Sequence, residues 1–160
     1  MKQLVVFSST GGNTKKLAEA AFKHLQGEAE IHPVNQAPDP KGYDLVVVGF
    51  WFKGGQPDPA SQEYLKRCAG ARSLFLFASH GAAADSEHAR YGMNAARELA
   101  AGAQIIGSFS CPGQVPAKVQ ETAAGKVPQP AWLKDAPAAA GHPDAEDLHQ
   151  LLEAMRHAGI

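Results

Sequence analysis

Hydroxyl and glycine residues are concentrated in one short stretch, Ser8 to Thr14, which follows an apolar run and precedes a helical pattern. Glycines let a backbone bend closely around an anion, and serine and threonine hydroxyls can donate hydrogen bonds to it. A helix that begins here adds unpaired N–H groups and partial positive charge. The stretch therefore predicts either a phosphate site without a lysine or an ordinary turn capped by Thr10 or Asn13.

Two common phosphate-binding patterns are absent from this stretch. No Gly-Lys-Ser or Gly-Lys-Thr follows the glycines, which excludes a Walker-type nucleotide loop. There is no third glycine, and no acid closes the second predicted strand, which excludes the dinucleotide fingerprint.

A second group of residues follows the third apolar run of the chain. Trp51 and Phe52 are large aromatics, and Lys53, Gly54 and Gly55 come directly after them. Such a loop offers a flat apolar wall and a backbone that can turn its amides toward a ligand. One of the two aromatics is expected to cap the core instead, because neighbours on a strand point to opposite faces.

A third group, Ser79, His80 and Gly81, follows the fourth apolar run and is small enough to approach a planar ligand by its backbone. His80 is the titratable residue at this strand end, and the sequence alone favours a solvated loop histidine over a functional one. No Ser-His-acid set, metal-ligand spacing or carboxylate pair stands out, so no catalytic residue and no metal site are predicted. Cys68 and Cys111 are interpreted as buried free thiols.

The three groups need a scaffold that brings strand ends together. Apolar runs predict strands at 4–7, 30–34, 44–50, 73–77 and 104–109, and these alternate with helical patterns after residue 13 and at 60–68 and 87–101. A last helix is predicted at about 144–157. The alternation indicates an α/β sandwich with a parallel sheet, in which ligands bind beyond the carboxyl ends of the strands.

Composition limits the class of protein further. The 160 residues suit one domain, and a net charge of −1 argues against a strongly basic nucleic-acid binder. With no apolar run long enough for a membrane helix and no signal-peptide pattern, we expect a cytoplasmic protein. Residues 110–143 contain six prolines and predict an extended covering loop with one short helix at 117–124.

Together the three groups resemble the flavodoxin family. The most specific part is Ser9-Thr10-Gly11-Gly12-Asn13-Thr14, which is similar to that family's phosphate loop with a glycine in place of its usual second threonine. The resemblance covers residues 1–109 and the last helix. It implies a five-stranded parallel sheet of order 2-1-3-4-5, with FMN bound where the strand order reverses, between strands one and three.

The resemblance also implies which residues hold FMN. The phosphate would be bound by the loop after strand one, the inner face of the flavin would be covered by Trp51 or Phe52, and backbone amides after strand four would contact its pyrimidine end. Its outer face would be open or covered by His80 or Trp132. The implied cofactor-binding residues are Ser9, Thr10, Gly11, Gly12, Asn13, Thr14, Trp51, Phe52, Lys53, Gly54, Gly55, Ser79, His80 and Gly81.

The function that the resemblance implies is electron transfer between a reductase and an acceptor protein, by a monomer or weak dimer. The alternative is an FMN-dependent NAD(P)H oxidoreductase of quinones or small electrophiles, which shares the fold. A receiver-type signalling domain is disfavoured because Ser8 and Phe50 stand where acids would be required. A flavin-free binding module stays open at this point.

Overall fold

The computed structural model describes residues 1–160, and its strands and helices alternate through most of the chain. The strands are β1 (Gln3–Phe7), β2 (Ala29–Pro33), β3 (Leu45–Lys53), β4 (Gln56–Pro57), β5 (Leu74–His80) and β6 (Ile105–Pro112). The α-helices are α1 (Asn13–His24), α2 (Pro59–Arg67), α3 (Glu87–Leu99), α4 (Ala117–Ala124) and α5 (Ala145–His157).

Five parallel strands form the sheet in the order β2-β1-β3-β5-β6, and the two-residue β4 pairs antiparallel with the end of β3. With β4 set aside, this is the predicted 2-1-3-4-5 order, so the predicted fold class is confirmed. Because the order reverses between β1 and β3, the loops that follow these strands diverge and leave a crevice.

Strand alternation divides the core into two layers. Even-numbered residues of β3, such as Val46 and Val48, pack against α2 and α3, whereas Val47 packs against α1 and α5. Gly49 lies in this second layer, where the ring of Phe77 from β5 occupies the space that a side chain at 49 would need. The continuous apolar runs are therefore explained by helices on both faces of the sheet.

Three strands extend beyond their predicted ends. β5 continues through Ser79 to His80 instead of ending at 77, so these two residues belong to the strand and not to the loop after it. β3 continues through Trp51 and Phe52 to Lys53 because a two-residue turn folds the chain back onto it. In this turn Gly54 and Gly55 have φ values of 62° and 78°, which two-residue hairpins favour and which glycine adopts without a steric cost. β6 continues to Pro112, where it still pairs with His80, so the predicted covering loop begins at 113 rather than 110.

Residues 113–143, called the covering segment below, are less irregular than the prolines suggested. They contain α4 at its predicted position and a further 3₁₀ helix, Ala131–Ala139, which the sequence did not reveal. α5 follows, with Asp144 as its N-cap, and buries Leu151 and Met155 against the sheet. None of the helices has the length and apolar character that crossing a membrane would require.

Candidate functional site

A cleft of about 710 Å³ lies at the carboxyl ends of β1, β3 and β5, next to the crevice between β1 and β3. This is within the usual size range of small-molecule sites. Every residue of the implied cofactor set except Gly12 lines the cleft. Gly12 is instead the N-cap of α1, with a φ of 97° that favours glycine.

The loop after β1 presents unsatisfied donors to this cleft. The backbone N–H groups of Thr10, Gly11 and Asn13 make no hydrogen bond within the protein, and α1 has no side-chain cap. Ser9 Oγ accepts from Gly12 N at 3.1 Å, which holds the loop in its turn. Free N–H groups at a helix N-terminus are suited to binding an anionic group such as a phosphate.

Buried polar residues beneath the cleft hold its loops in place. Asp58 accepts from Ser8 Oγ at 2.7 Å and from Trp51 N at 3.4 Å, which joins the ends of β1 and β3. The hydroxyls of Thr14 and Ser79 are 2.9 Å apart, which joins α1 to β5. Sequence reasoning missed Asp58, although an Asp-Pro pair before a helical run is a recognised start of a helix.

The hairpin formed by β3 and β4 supplies the aromatic wall. Phe52 faces α3 and stacks on His80, with ring centroids 5.1 Å apart, so it is the aromatic that caps the core layer. Trp51 is partly buried and also lines the cleft, but its indole Nε1 is shielded from solvent and has no hydrogen-bond partner. This arrangement agrees with the expectation that one of the two aromatics caps the core while the other forms a wall of the cleft.

His80 is buried, which corrects the interpretation of a solvated loop histidine. Its Nδ1 lies 3.0 Å from the carbonyl oxygen of Ala82, which can only accept, so Nδ1 carries the proton. Burial lowers the pKa of His80 to about 4, so the imidazole is neutral near pH 7 and its Nε2 is an acceptor. This Nε2 is buried and unpartnered, like Trp51 Nε1. A ligand with both donor and acceptor edges would fit this cleft.

Burial of His80 should make the protein sensitive to acid. An unfolded imidazole is protonated near pH 6.5, whereas folded His80 is protonated only near pH 4. Between these values the unfolded state binds more protons, so the free energy of unfolding falls as the pH falls through this window. We expect His80 to account for a loss of about 3 kcal/mol between pH 7 and pH 4.

Urea unfolding at a series of pH values measures this loss. The slope attributed to His80 should be absent from His80→Gln and should persist in His157→Gln, which alters an exposed histidine on α5. An unchanged pH dependence in His80→Gln would contradict the assignment.

The charge of the cleft favours an anionic ligand. Lys53 and Lys126 line it, and neither an aspartate nor a glutamate does. His80 adds no positive charge near pH 7 because its pKa is low, so the basic character comes from the two lysines.

The covering segment completes the cleft with residues that the sequence did not assign. Gly113, Gln114, Val115, Pro116, Val119, Lys126, Pro130, Ala131 and Trp132 all line it, together with His88 and Tyr91 of α3. The one hint in the sequence was Trp132, considered as a cover for the outer flavin face. The other residues of the covering segment could not have been found because no local pattern reports where a proline-rich segment packs.

One group of residues could ligate a metal by its composition: His142, Asp144 and Asp147 lie close together. Their polar atoms already have other partners, because the two acids form the capping box of α5 and His142 Nδ1 is 2.6 Å from Asp147 Oδ2. Cys68 and Cys111 are buried free thiols, as predicted, and burial raises the pKa of both.

The fold and the cleft define an α/β protein of the flavodoxin-like class. A flavodoxin-domain family model matches residues 4–156, and on this basis the chain belongs to the flavodoxin family. A flavodoxin-like domain-containing protein, BilS, of Clostridioides difficile is 33% identical over 123 residues, which is 72% of this chain and 68% of that protein.

Solved structures share the fold at low sequence identity. Oxidised flavodoxin 2 from Bacillus cereus aligns with a TM-score of 0.67 and 15% identity, over 99% of this chain and 98% of its own. A flavoprotein from Lactobacillus acidophilus, solved in complex with FMN, aligns with a TM-score of 0.57 and 18% identity, over 68% of this chain and 92% of its own.

Proposed function

We propose that this protein binds FMN in the cleft and carries electrons between redox partner proteins, a reductase and an acceptor. The observation that carries the proposal is the cleft itself, where free N–H groups at the start of α1 and an aromatic wall on β3 line one space. Family membership and the FMN complex of the Lactobacillus acidophilus flavoprotein support FMN as the ligand.

The residues divide into those that would hold the phosphate and those that would hold the ring. Ser9, Thr10, Gly11 and Asn13 offer hydroxyl, amide and backbone donors for the phosphate. Trp51 offers an aromatic surface and an unpaired N–H, and His80 offers an unpaired acceptor. When bound, FMN supplies the electron-transfer chemistry, and the protein's part is to orient it and control its surroundings.

The lysines and the buried histidine bear on how the cofactor would be tuned. Lys53 would favour negative charge on a nearby ring, whereas neutral His80 would contribute only a hydrogen bond. His80 therefore adds no positive charge near the ring at pH 7, because burial lowers its pKa to about 4. We propose that Lys53→Gln lowers the reduction potential of the bound flavin.

The decisive measurement is the visible absorbance of the purified protein during titration with FMN and, in parallel, with riboflavin. We expect FMN to bind about 100-fold more tightly than riboflavin, because only FMN engages the donors at the start of α1. Equal affinities would contradict the phosphate assignment, and no binding of either would leave a flavin-free binding module.

The electron-carrier role is tested separately on the FMN-loaded protein. A carrier should be reduced slowly by NADH or NADPH alone and rapidly when a flavodoxin reductase is added. Rapid reduction by NADH or NADPH alone, with turnover of a quinone, would instead favour the alternative, an FMN-dependent oxidoreductase of quinones or small electrophiles.

A further inference from the structure

The covering segment is closed at its base. Gln114 N donates to the carbonyl oxygen of His142 at 2.8 Å, and Gly141 N donates to Gln114 Oε1 at 2.9 Å. The two ends of the segment are therefore hydrogen-bonded to each other through one residue, although 27 positions separate Gln114 from Gly141. The segment leaves the sheet and returns to it at one place.

The two ends of the covering segment are also hydrogen-bonded to α1, the helix that begins at the loop after β1. Asn13 Nδ2 donates to the carbonyl oxygen of Gln114 at 3.0 Å, and Lys16 Nζ donates to that of Pro143 at 2.5 Å. A third tie lies at the far side, where Ala83 N donates to Asp135 Oδ2 at 3.2 Å. These ties hold the segment over the loops that follow β1 and β5.

Trp132 is placed by these ties against the loop after β5. A Cβ atom added at Gly81 would lie 3.1 Å from Trp132 Cε3 and 2.8 Å from Val115 Cγ2, so both side chains pack directly on the backbone there. Both residues also line the cleft. The covering segment therefore leaves no room for a side chain at position 81.

The loop after β5 has no aromatic residue of its own available to cover a ring. The ring of His80 is stacked on Phe52, with an angle of 22° between the two planes, and is held on the α3 side of the sheet. Residues 81–86 are Gly-Ala-Ala-Ala-Asp-Ser. Trp132 is consequently the aromatic residue that packs on this loop and also lines the cleft.

We propose that Trp132 is a binding residue that contacts the outer face of the flavin ring, so that the covering segment forms the outer wall of the cofactor site. This inference rests on the proposed binding of FMN. Because the tie between Asn13 and Gln114 links this wall to the phosphate loop, the two ends of the cofactor are held by parts of the chain that contact each other.

The test compares Trp132→Ala and Trp132→Phe with Val127→Ala, a matched apolar truncation in the same segment. Val127 is 97% exposed and does not line the cleft. Dissociation constants for FMN and for riboflavin are measured by quenching of flavin fluorescence, and urea unfolding of each apoprotein verifies that the sheet is intact.

Trp132→Ala should weaken FMN and riboflavin binding by the same factor, about tenfold, because the lost contact is with the ring that both ligands share. Trp132→Phe should retain most of the affinity, and Val127→Ala should retain all of it. Unchanged affinities in a folded Trp132→Ala, or a loss confined to FMN, would overturn the inference. Failure of the wild type to bind either ligand would overturn the proposed function itself.

Discussion

The Gly11→Asp variant is expected to bind FMN about 100-fold more weakly than the Gly11→Asn variant, while both bind riboflavin equally well. A Cβ atom at Gly11 meets nothing within 4 Å, and the backbone there is not in the left-handed region, so either side chain can be accommodated. The aspartate would place a negative charge beside the free N–H groups that are assigned to the phosphate. Asparagine has nearly the same shape and no charge.

Comparing the two variants separates the effect of the added charge from the effect of the added side chain. Comparing FMN with riboflavin separates contacts with the phosphate from contacts with the ring. Titrations at low and high salt add a third comparison, because screening should reduce the difference between the variants as the ionic strength rises. If Gly11→Asp and Gly11→Asn bound FMN with equal affinity, the phosphate could not lie at the loop after β1.

The Gly49→Ala variant is expected to lose about 3 kcal/mol or more in free energy of unfolding, which is at the upper end for overpacking a core. A Cβ atom at this position would lie 2.1 Å from Phe77 Cζ and 2.2 Å from Phe77 Cε2. Both residues are in the centre of the sheet, so neither strand can move away without breaking the pairing between β3 and β5.

A second substitution should relieve this strain. Phe77→Leu shortens the side chain that meets the added methyl group, so the double variant should lose much less stability than the two single losses added together. Urea unfolding of the four proteins closes the thermodynamic cycle. Additive losses would mean that the contact between residues 49 and 77 is not the cause of the destabilisation.

The parallel sheet could be predicted because its determinants are local. Each central strand is a continuous apolar run, such as Leu45 to Val48, and helices on both faces require such runs. The candidate site followed from the same logic, since the carboxyl ends of neighbouring parallel strands must lie side by side. Three short loops could therefore be assigned to one cleft before their geometry was known.

The features that sequence reasoning missed depend on contacts between distant residues. Asp135 accepts a hydrogen bond from Ala83 N, 52 positions earlier in the chain. Asn13 donates a hydrogen bond to the carbonyl oxygen of Gln114, 101 positions later. The burial of His80 depends on Phe52, whose position is set in turn by α3, where a Cβ atom at Gly92 would lie 2.4 Å from the Phe52 ring. Periodicity and turn chemistry carry no information about such pairs.

The closed base of the covering segment implies that this part of the chain can change length independently of the sheet. Since Gln114 already bridges the two ends, we expect an insertion or deletion at an exposed position between them to leave the strand register unchanged. Different lengths of this segment could produce deeper or shallower clefts above the same loops. The arrangement separates the part of the protein that must be preserved for folding from the part that is free to diversify.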